Sequence, residues 1–140
     1  MTNKSPVSKD WRNLPIEKWN TSTIHAFLID ETKRRYNAVY VPGGGGPVSR
    51  RWVSEKGMIK RELDRKGPAV VKKFIEICWR EYYTPNPKKF PYPTYGFMAG
   101  YMAHFWTEAL QESEHEEEVT EAINESHAKM EELGGDSDWF

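Results

Sequence analysis

The stretch GPAVVKKFIEICWREYY, residues 67–83, decides the fold prediction for the whole chain. Gly67 can end a preceding helix, and Pro68 suits the first position of the next helix, where its missing N–H has little effect. The residues that follow are apolar around most of a helical circumference, and they are Val70, Val71, Phe74, Ile75, Ile77, Cys78, Trp79 and Tyr82. A helix of this kind is buried on several sides. We therefore predict a central helix at about residues 68–83.

Four further helices are predicted around the central one, at about residues 22–36, 49–66, 95–111 and 112–133. The first three begin beside side chains that can cap a helix, which are Thr21 or Ser22, Ser49 and Thr94. The stretch 95–111 is apolar nearly all round, so it is either deeply buried or part of a homodimer contact. The predicted fold class is therefore mainly α, a compact bundle of about five helices.

Residues 38–48 leave one alternative open. In a short strand there, Val39 and Val41 would face one way and Tyr40 the other. The four glycines at 43–46 would then form a flexible loop. A short β-hairpin of this kind would make the body winged-helix-like.

The composition indicates one domain. The chain has 140 residues, of which 38% are hydrophobic and 14% aromatic, and this aromatic content excludes a fully disordered chain. We divide it into a flexible arm at 1–14, a basic helical core at 15–111, an acidic helix at 112–133 and a tail at 134–140. Trp11 and Leu14 are candidate anchors of the arm onto the body.

The sequence also predicts where the protein works. It has no apolar stretch of transmembrane length, no signal-peptide pattern at its start, and one cysteine. We therefore expect no membrane partner and a cytoplasmic location.

Charge is unevenly distributed along the chain. Residues 1–110 hold 19 basic and 10 acidic side chains, whereas residues 111–140 hold 1 basic and 11 acidic side chains. The net charge of −1 therefore conceals a basic body joined to an acidic segment. Such asymmetry indicates a surface that binds a polyanion.

No sequence pattern predicts catalysis, a metal site or a cofactor site. The glycines at 43–46 run into Pro-Val-Ser-Arg rather than the Gly-Lys-Ser/Thr of a phosphate-binding loop. The four histidines, His25, His104, His115 and His127, lack zinc-protease spacing, and His104 lies among predicted core aromatics. Cys78 falls on a predicted buried face, where a thiol is usually inert. We therefore predict that the protein is not an enzyme.

The helix predicted at 49–66 has an apolar face and a basic face. At about 100° per residue, Trp52, Ile59 and Leu63 share one face, and the arginines lie opposite or at its edge. Lysines follow on the next helix and in the proline-rich loop at 84–93, beside Phe90 and Tyr92. Arginine suits phosphate oxygens, and basic side chains interleaved with exposed aromatics suit single-stranded nucleic acid. The predicted nucleic-acid-binding residues are Arg50, Arg51, Arg61, Arg65, Lys72, Lys73, Lys88 and Lys89.

The C-terminal residues Gly-Gly-Asp-Ser-Asp-Trp-Phe form a distinctive tail. The tail resembles, in type, the acidic tails ending in an aromatic residue that single-stranded-DNA-binding proteins offer to partners. This resemblance implies that Asp136, Asp138, Trp139 and Phe140 form a docking peptide for a replication protein. The alternative is an ordinary tail whose aromatic side chains fold back onto the body.

A second resemblance covers about residues 50–105. The run GMIKRELDRKGPAVVKKFI at 57–75 is followed by a proline- and tyrosine-rich loop and an aromatic helix. This arrangement resembles small replication-associated accessory proteins of phages of Gram-positive bacteria. The resemblance implies an accessory role in viral DNA metabolism and assigns no catalytic residue. The cytoplasm in which we expect the protein is the host cytoplasm if the protein is viral.

Charge and resemblance together predict a non-enzymatic DNA-binding accessory protein in phage DNA replication or related DNA metabolism. The alternative is a protein–protein adaptor, or a host-factor-binding protein, that docks through the acidic C-terminal helix and the Trp139 and Phe140 tail. A steep fall of DNA affinity with salt would favour the first function.

Overall fold

The structure is a computed structural model, and it describes residues 7–134. One 3-10 turn (Ile16–Lys18) and five α-helices make up its regular structure. The helices are α1 (Thr21–Tyr36), α2 (Val48–Lys66), α3 (Pro68–Glu81), α4 (Tyr95–Tyr101) and α5 (Phe105–Gly134). The prediction of a mainly helical bundle of about five helices is therefore confirmed. In this part of the chain, no helix combines the length and apolar character needed to cross a membrane.

The central helix of the bundle is α3. Gly67 has a φ of 85° and lies between α2 and α3, and Pro68 occupies the first turn of α3. The 3-10 turn, α2, α4 and α5 all pack against α3. The ring of Phe27 on α1 lies 5.2 Å from the ring of Trp79 on α3. The central helix is therefore buried on several sides, and its fully buried side chains include Val71, Phe74, Ile75 and Cys78.

The longest element is α5, which has 30 residues and spans about 45 Å. Its first half packs on α3, where Trp106 stacks on Phe74 with ring centroids 3.6 Å apart and planes 4° from parallel. Ala109, one turn further on, is completely buried. From residue 117 to residue 133 every residue is exposed. The second half of α5 therefore leaves the body as a single helix.

The hairpin considered for residues 38–48 does not form, because residues 7–134 contain no β-strand. Tyr40 points inward and is 2% exposed, and Val39 points to solvent. The expected alternation of these two side chains is therefore present, although these residues form no strand. The Tyr92 hydroxyl takes the place of a partner strand, since it accepts from the Val41 N–H and donates to the Val39 carbonyl, each at 3.0 Å. The winged-helix-like form is therefore not supported.

Two helix boundaries differ from the prediction. The helix expected at 95–111 ends at Tyr101, and α5 begins at Phe105 after a turn in which the Phe105 N–H donates to the Met102 carbonyl at 3.0 Å. Gly96 and Gly100 weaken the helical preference of this stretch. The acidic helix expected to begin at 112 is the continuation of α5.

The helix starts also differ in part. Thr94 caps α4 as predicted. Asn20, one position before the expected residues, caps α1, since its side chain accepts from the Thr23 N–H at 3.1 Å and the Thr23 hydroxyl accepts in return. The start of α2 has no side-chain cap, because it follows Pro47 directly and Ser49 already lies inside the helix.

A buried hydrogen-bonded cluster ties the extended segment at 37–47 to α2 and α4. The Tyr40 hydroxyl donates to Glu55 Oε1 at 2.7 Å and accepts from the Tyr95 N–H at 2.8 Å. His25 Nε2 of α1 lies 3.3 Å from the same Glu55 oxygen. Burial raises the pKa of Tyr40 well above its ordinary value, and the Glu55 charge acts in the same direction, so the hydroxyl keeps its proton. The cluster fixes the rotation of α2, and hence the direction of its outer side.

The end of the N-terminal arm rests on the bundle. The Trp11 ring lies 4.9 Å from the ring of Phe27, and its indole N–H donates to Asp30 at 2.8 Å. The Leu14 carbonyl accepts from the Trp19 indole N–H at 3.2 Å. Trp11 and Leu14, the candidate anchors, therefore both contact the body.

Candidate functional site

One side of α2 faces the core and the other faces solvent. Ile59 is completely buried, and Trp52 and Leu63 pack against the core. The opposite side exposes three arginines, which we call the arginine face: Arg50, Arg61 and Arg65. The division of α2 into an apolar and a basic side is as the sequence predicted.

The arginine face keeps most of its charge uncompensated. Among the described residues, no carboxylate lies within ion-pair distance of Arg50 or Arg61. Within residues 7–134, the one ion pair of Arg65 is a long contact, with its Nη1 3.7 Å from Glu62 Oε2. Guanidinium groups in this state are available to bind anions, and their planar fork matches two phosphate oxygens.

Arg51 has a different place. Its Nη1 donates to the Pro42 carbonyl at 3.2 Å, and its Nε is buried. Arg51 therefore holds the extended segment against α2 and does not join the arginine face.

Lys72 and Lys73 lie in a separate groove between the N-terminal segment, α3 and α5. Lys72 Nζ lies 3.0 Å from Glu76, and Lys73 Nζ lies 2.5 Å from Glu116. Burial acts to lower the pKa of Lys73, but the Glu116 hydrogen bond and the neighbouring carboxylates raise it overall. Both lysines are therefore already paired with acids, and in residues 7–134 no hydrogen bond or ion pair joins them to the arginine face.

Lys88 and Lys89 are exposed in the proline-rich loop at 84–93. In residues 7–134 neither lysine lies within ion-pair distance of a carboxylate, and Lys89 Nζ is 5.3 Å from the centre of the Phe90 ring. Tyr92 fastens this loop to the extended segment that leads into α2. The loop therefore holds its two free cations on an anchored backbone.

Three exposed rings and the half-buried Tyr82 form a group, which we call the aromatic platform: Tyr82, Phe90, Phe97 and Tyr101. The sequence predicted the exposed position of Phe90 but did not predict the group. Phe97 and Tyr101 lie in the stretch predicted to be either deeply buried or part of a homodimer contact, and they are 40% and 77% exposed. Their rings lie 5.1 Å apart, and the Tyr82 ring lies 5.8 Å from that of Phe97. The Tyr82 hydroxyl donates to the Phe90 carbonyl at 2.9 Å. Phe97 and Tyr101 are four residues apart, which puts both rings on one side of α4. This spacing is the signal in the sequence that could have revealed the pair.

The acids of α5 divide into two groups. Three acids of the first half neutralise basic side chains of α3, since Glu116 pairs with Lys73, and Glu108 and Glu112 pair with Arg80. Those of the second half project into solvent together with an apolar stripe of Val119, Ile123, Met130 and Leu133. The predicted docking residues Asp136, Asp138, Trp139 and Phe140 lie outside the described residues.

The residues considered for catalysis are scattered. Within the described range, no group of three or more His, Cys, Asp or Glu side chains could hold a metal ion. His104 is exposed, contrary to the interior position expected for it. Cys78 is buried as predicted, and burial raises the pKa of its thiol to about 12. The thiol therefore stays protonated at neutral pH.

No family model, curated protein or solved structure matches the chain. What the arginine face and the aromatic platform can do therefore follows from their own geometry and charge.

Proposed function

We propose that the protein is a non-enzymatic DNA-binding accessory protein whose arginine face contacts backbone phosphates. The observation that carries the proposal is the uncompensated charge of Arg50 and Arg61 on an exposed helix side. A role in phage DNA replication or related DNA metabolism is part of the proposal, and it depends on the resemblance of residues 50–105 to replication-associated phage proteins.

The anchoring of α2 supports this function. Ile59 and Glu55 are both buried, and Glu55 is held by the Tyr40 hydroxyl, so the outer side of α2 has a fixed direction. Cations on a rigid element lose less freedom on binding than cations on a mobile one. Lys88 and Lys89 extend the set of free cations into the proline-rich loop. Phosphate contacts position a protein without reading bases, so we expect binding that depends on salt and little on sequence.

The test replaces two free arginines by a neutral residue of similar reach, in the double variant Arg50→Gln/Arg61→Gln. Both side chains are exposed, so the variant should keep the wild-type melting temperature. We expect a weaker DNA affinity and a flatter plot of log affinity against log salt. The slope should fall by about 0.7 to 0.9 for each phosphate contact removed.

The matched control is Arg80→Gln, which removes an exposed arginine that is already paired with Glu81 and contacts Glu112. Its salt slope should equal that of the wild type. If the double variant binds with unchanged affinity at about 0.1 M salt, where screening is moderate, the arginine face is not the binding surface.

The second half of α5 supports the second candidate function, protein–protein docking. Its apolar stripe continues the line through which Phe105 and Ala109 pack toward the body. At about 100° per residue, Thr120 and His127 flank one edge of the stripe, and Ala122 and Lys129 flank the other. The glutamates of residues 117–133 all lie on the far side. The stripe suits the apolar face of an amphipathic partner helix, and the overall excess of acids in residues 117–133 favours a partner of positive charge.

Ile123→Glu tests this second function with a synthetic amphipathic helix of leucine and lysine as the probe. Docking along the stripe predicts weaker binding of the probe, because the stripe is interrupted. Attraction by charge alone predicts tighter binding, because the variant carries one more acid. Tighter binding would therefore contradict the adaptor function.

A further inference from the structure

The aromatic platform is held in place from beneath. Tyr95 and Met98 of α4 are completely buried, so the helix cannot roll to bury Phe97 and Tyr101 instead. The Tyr82 ring lies 6.4 Å from the ring of Tyr36 on α1, and its hydroxyl holds the Phe90 carbonyl. The exposed rings of Phe90, Phe97 and Tyr101 therefore belong to a fixed surface formed by α4 and the proline-rich loop, and the half-buried Tyr82 contacts both elements.

Three rings of the platform are exposed to solvent although they are apolar. Tyr101 is 77% exposed, Phe90 52% and Phe97 40%, although each ring would be stabilised by removal from water. The Phe97 and Tyr101 rings lie 5.1 Å apart with their planes at 35°. Exposed apolar groups in contact with one another mark a surface that a ligand covers.

The charge beside the platform selects an anionic ligand. Lys88 and Lys89 directly precede Phe90, and no carboxylate of the described chain lies within ion-pair distance of either. Glu81, the acid next to Tyr82 in the chain, is bound to Arg80 at 2.8 Å. The platform therefore offers flat apolar rings together with free positive charge.

From this combination we infer that the aromatic platform stacks unpaired bases, so that the bound nucleic acid is single-stranded. The inference rests on the proposed nucleic-acid-binding function and adds the form of the strand. A duplex hides the faces of its bases within its own stack, whereas a single strand can lay them on protein rings. Lys88 and Lys89 would contact the phosphates on either side of a stacked base, as the arginine face does elsewhere along the strand.

The experiment compares three variants at Tyr101, an exposed position where substitution should not unfold the protein. The probes are oligo-dT and a duplex of the same length, and each is titrated at the same series of salt concentrations. We expect the wild type to prefer oligo-dT. Tyr101→Phe keeps the ring and should keep the affinity, whereas Tyr101→Leu and Tyr101→Ala should each lose about 5-fold to 100-fold for oligo-dT. Their salt slopes should equal that of the wild type, because no charge is removed.

Tyr83→Leu is the matched control, since Tyr83 is 80% exposed and no ring contact joins it to the platform within residues 7–134. Its affinity for oligo-dT should be unchanged. Equal losses in Tyr83→Leu and Tyr101→Leu would overturn the assignment to the platform.

The remaining outcomes separate this inference from the proposed function. Equal wild-type affinity for both probes, lowered by Arg50→Gln/Arg61→Gln, would keep the proposed function and overturn the inference. Full retention of oligo-dT binding by Tyr101→Leu would do the same. Binding of neither probe, with self-association in sedimentation that Tyr101→Leu abolishes, would overturn both and assign the platform to protein contact.

Discussion

The two long charged helices, α2 and α5, use their charge in different ways. α2 has 19 residues, and it lies against the body along its length with its basic side turned outward. α5 has 30 residues, and only its first half touches the body. Three acids of that first half pair with Lys73 and Arg80 of α3. The comparison teaches that charge becomes available for binding only where packing leaves it without a partner.

The largest expected effect on stability comes from weakening the packing of α5 on α3. Phe74→Ala removes a completely buried ring that stacks on Trp106, and we expect a loss of about 3 to 5 kcal/mol in the free energy of unfolding. Urea denaturation followed by circular dichroism measures this loss. Val119→Ala, on the free half of α5, should change stability by less than about 0.5 kcal/mol. Similar losses in the two variants would show that the two halves of α5 do not differ.

A smaller loss of stability should follow from breaking the hydrogen bond that ties α2 to the extended segment. Glu55→Ala leaves the buried Tyr40 hydroxyl without its acceptor, and we expect a loss of about 1 to 3 kcal/mol. Glu55→Gln keeps an acceptor oxygen and should lose less. The measurement is the same denaturation experiment, and equal losses in both variants would show that the hydrogen bond is not what holds the cluster.

Two glycine variants test the backbone geometry of α2 and of the turn that follows it. Gly57 lies inside α2, and a Cβ added there would meet no atom within 4 Å. Gly57→Ala should therefore stabilise the protein by about 0.5 to 1 kcal/mol. Gly67→Ala is the matched control, because the φ of 85° at Gly67 strains any other residue and should make it destabilising. A stabilising Gly67→Ala would contradict the turn geometry.

The smallest effect on stability should come from removing the free half of α5. Truncation after residue 116 keeps the ion pair of Glu116 with Lys73, so the melting temperature should stay close to the wild-type value. The DNA affinity should rise at low salt, because the removed segment is acidic, and the gain should shrink as salt screens the charge. A melting temperature several degrees lower would show that the second half of α5 is part of the packed body.

The amphipathic character of α2 could be predicted from the sequence, because a helix lying on a body buries whatever side its periodicity makes apolar. The burial of Phe74 and Cys78 followed from the same rule. The end of α4 could not be predicted, since no proline marks the turn before Phe105. Phe97 and Tyr101 lie in the stretch for which the sequence left deep burial and a homodimer contact both open, because an unbroken helix there would be apolar nearly all round.

Pairing across the chain is the second thing that the sequence did not reveal. Lys73 is neutralised by Glu116, which is 43 residues away, and periodicity within one helix carries no information about such a partner. Arg51 likewise contacts the backbone of Pro42 rather than solvent. The sequence could therefore identify the basic residues but not which of them remain free.

The hydrogen bond from the Tyr95 amide to the Tyr40 hydroxyl has a consequence for hydrogen exchange. Tyr95 is the first residue of α4, and first-turn amides of a helix usually face water and exchange quickly because they have no partner within the helix. Here the acceptor is a buried side chain 55 residues earlier in the chain, which is itself fastened to Glu55. The Tyr95 proton can therefore reach solvent only when contacts between distant parts of the chain open together. This amide should exchange as slowly as those of α3, and its exchange rate reports the free energy of opening the whole body rather than the fraying of one short helix.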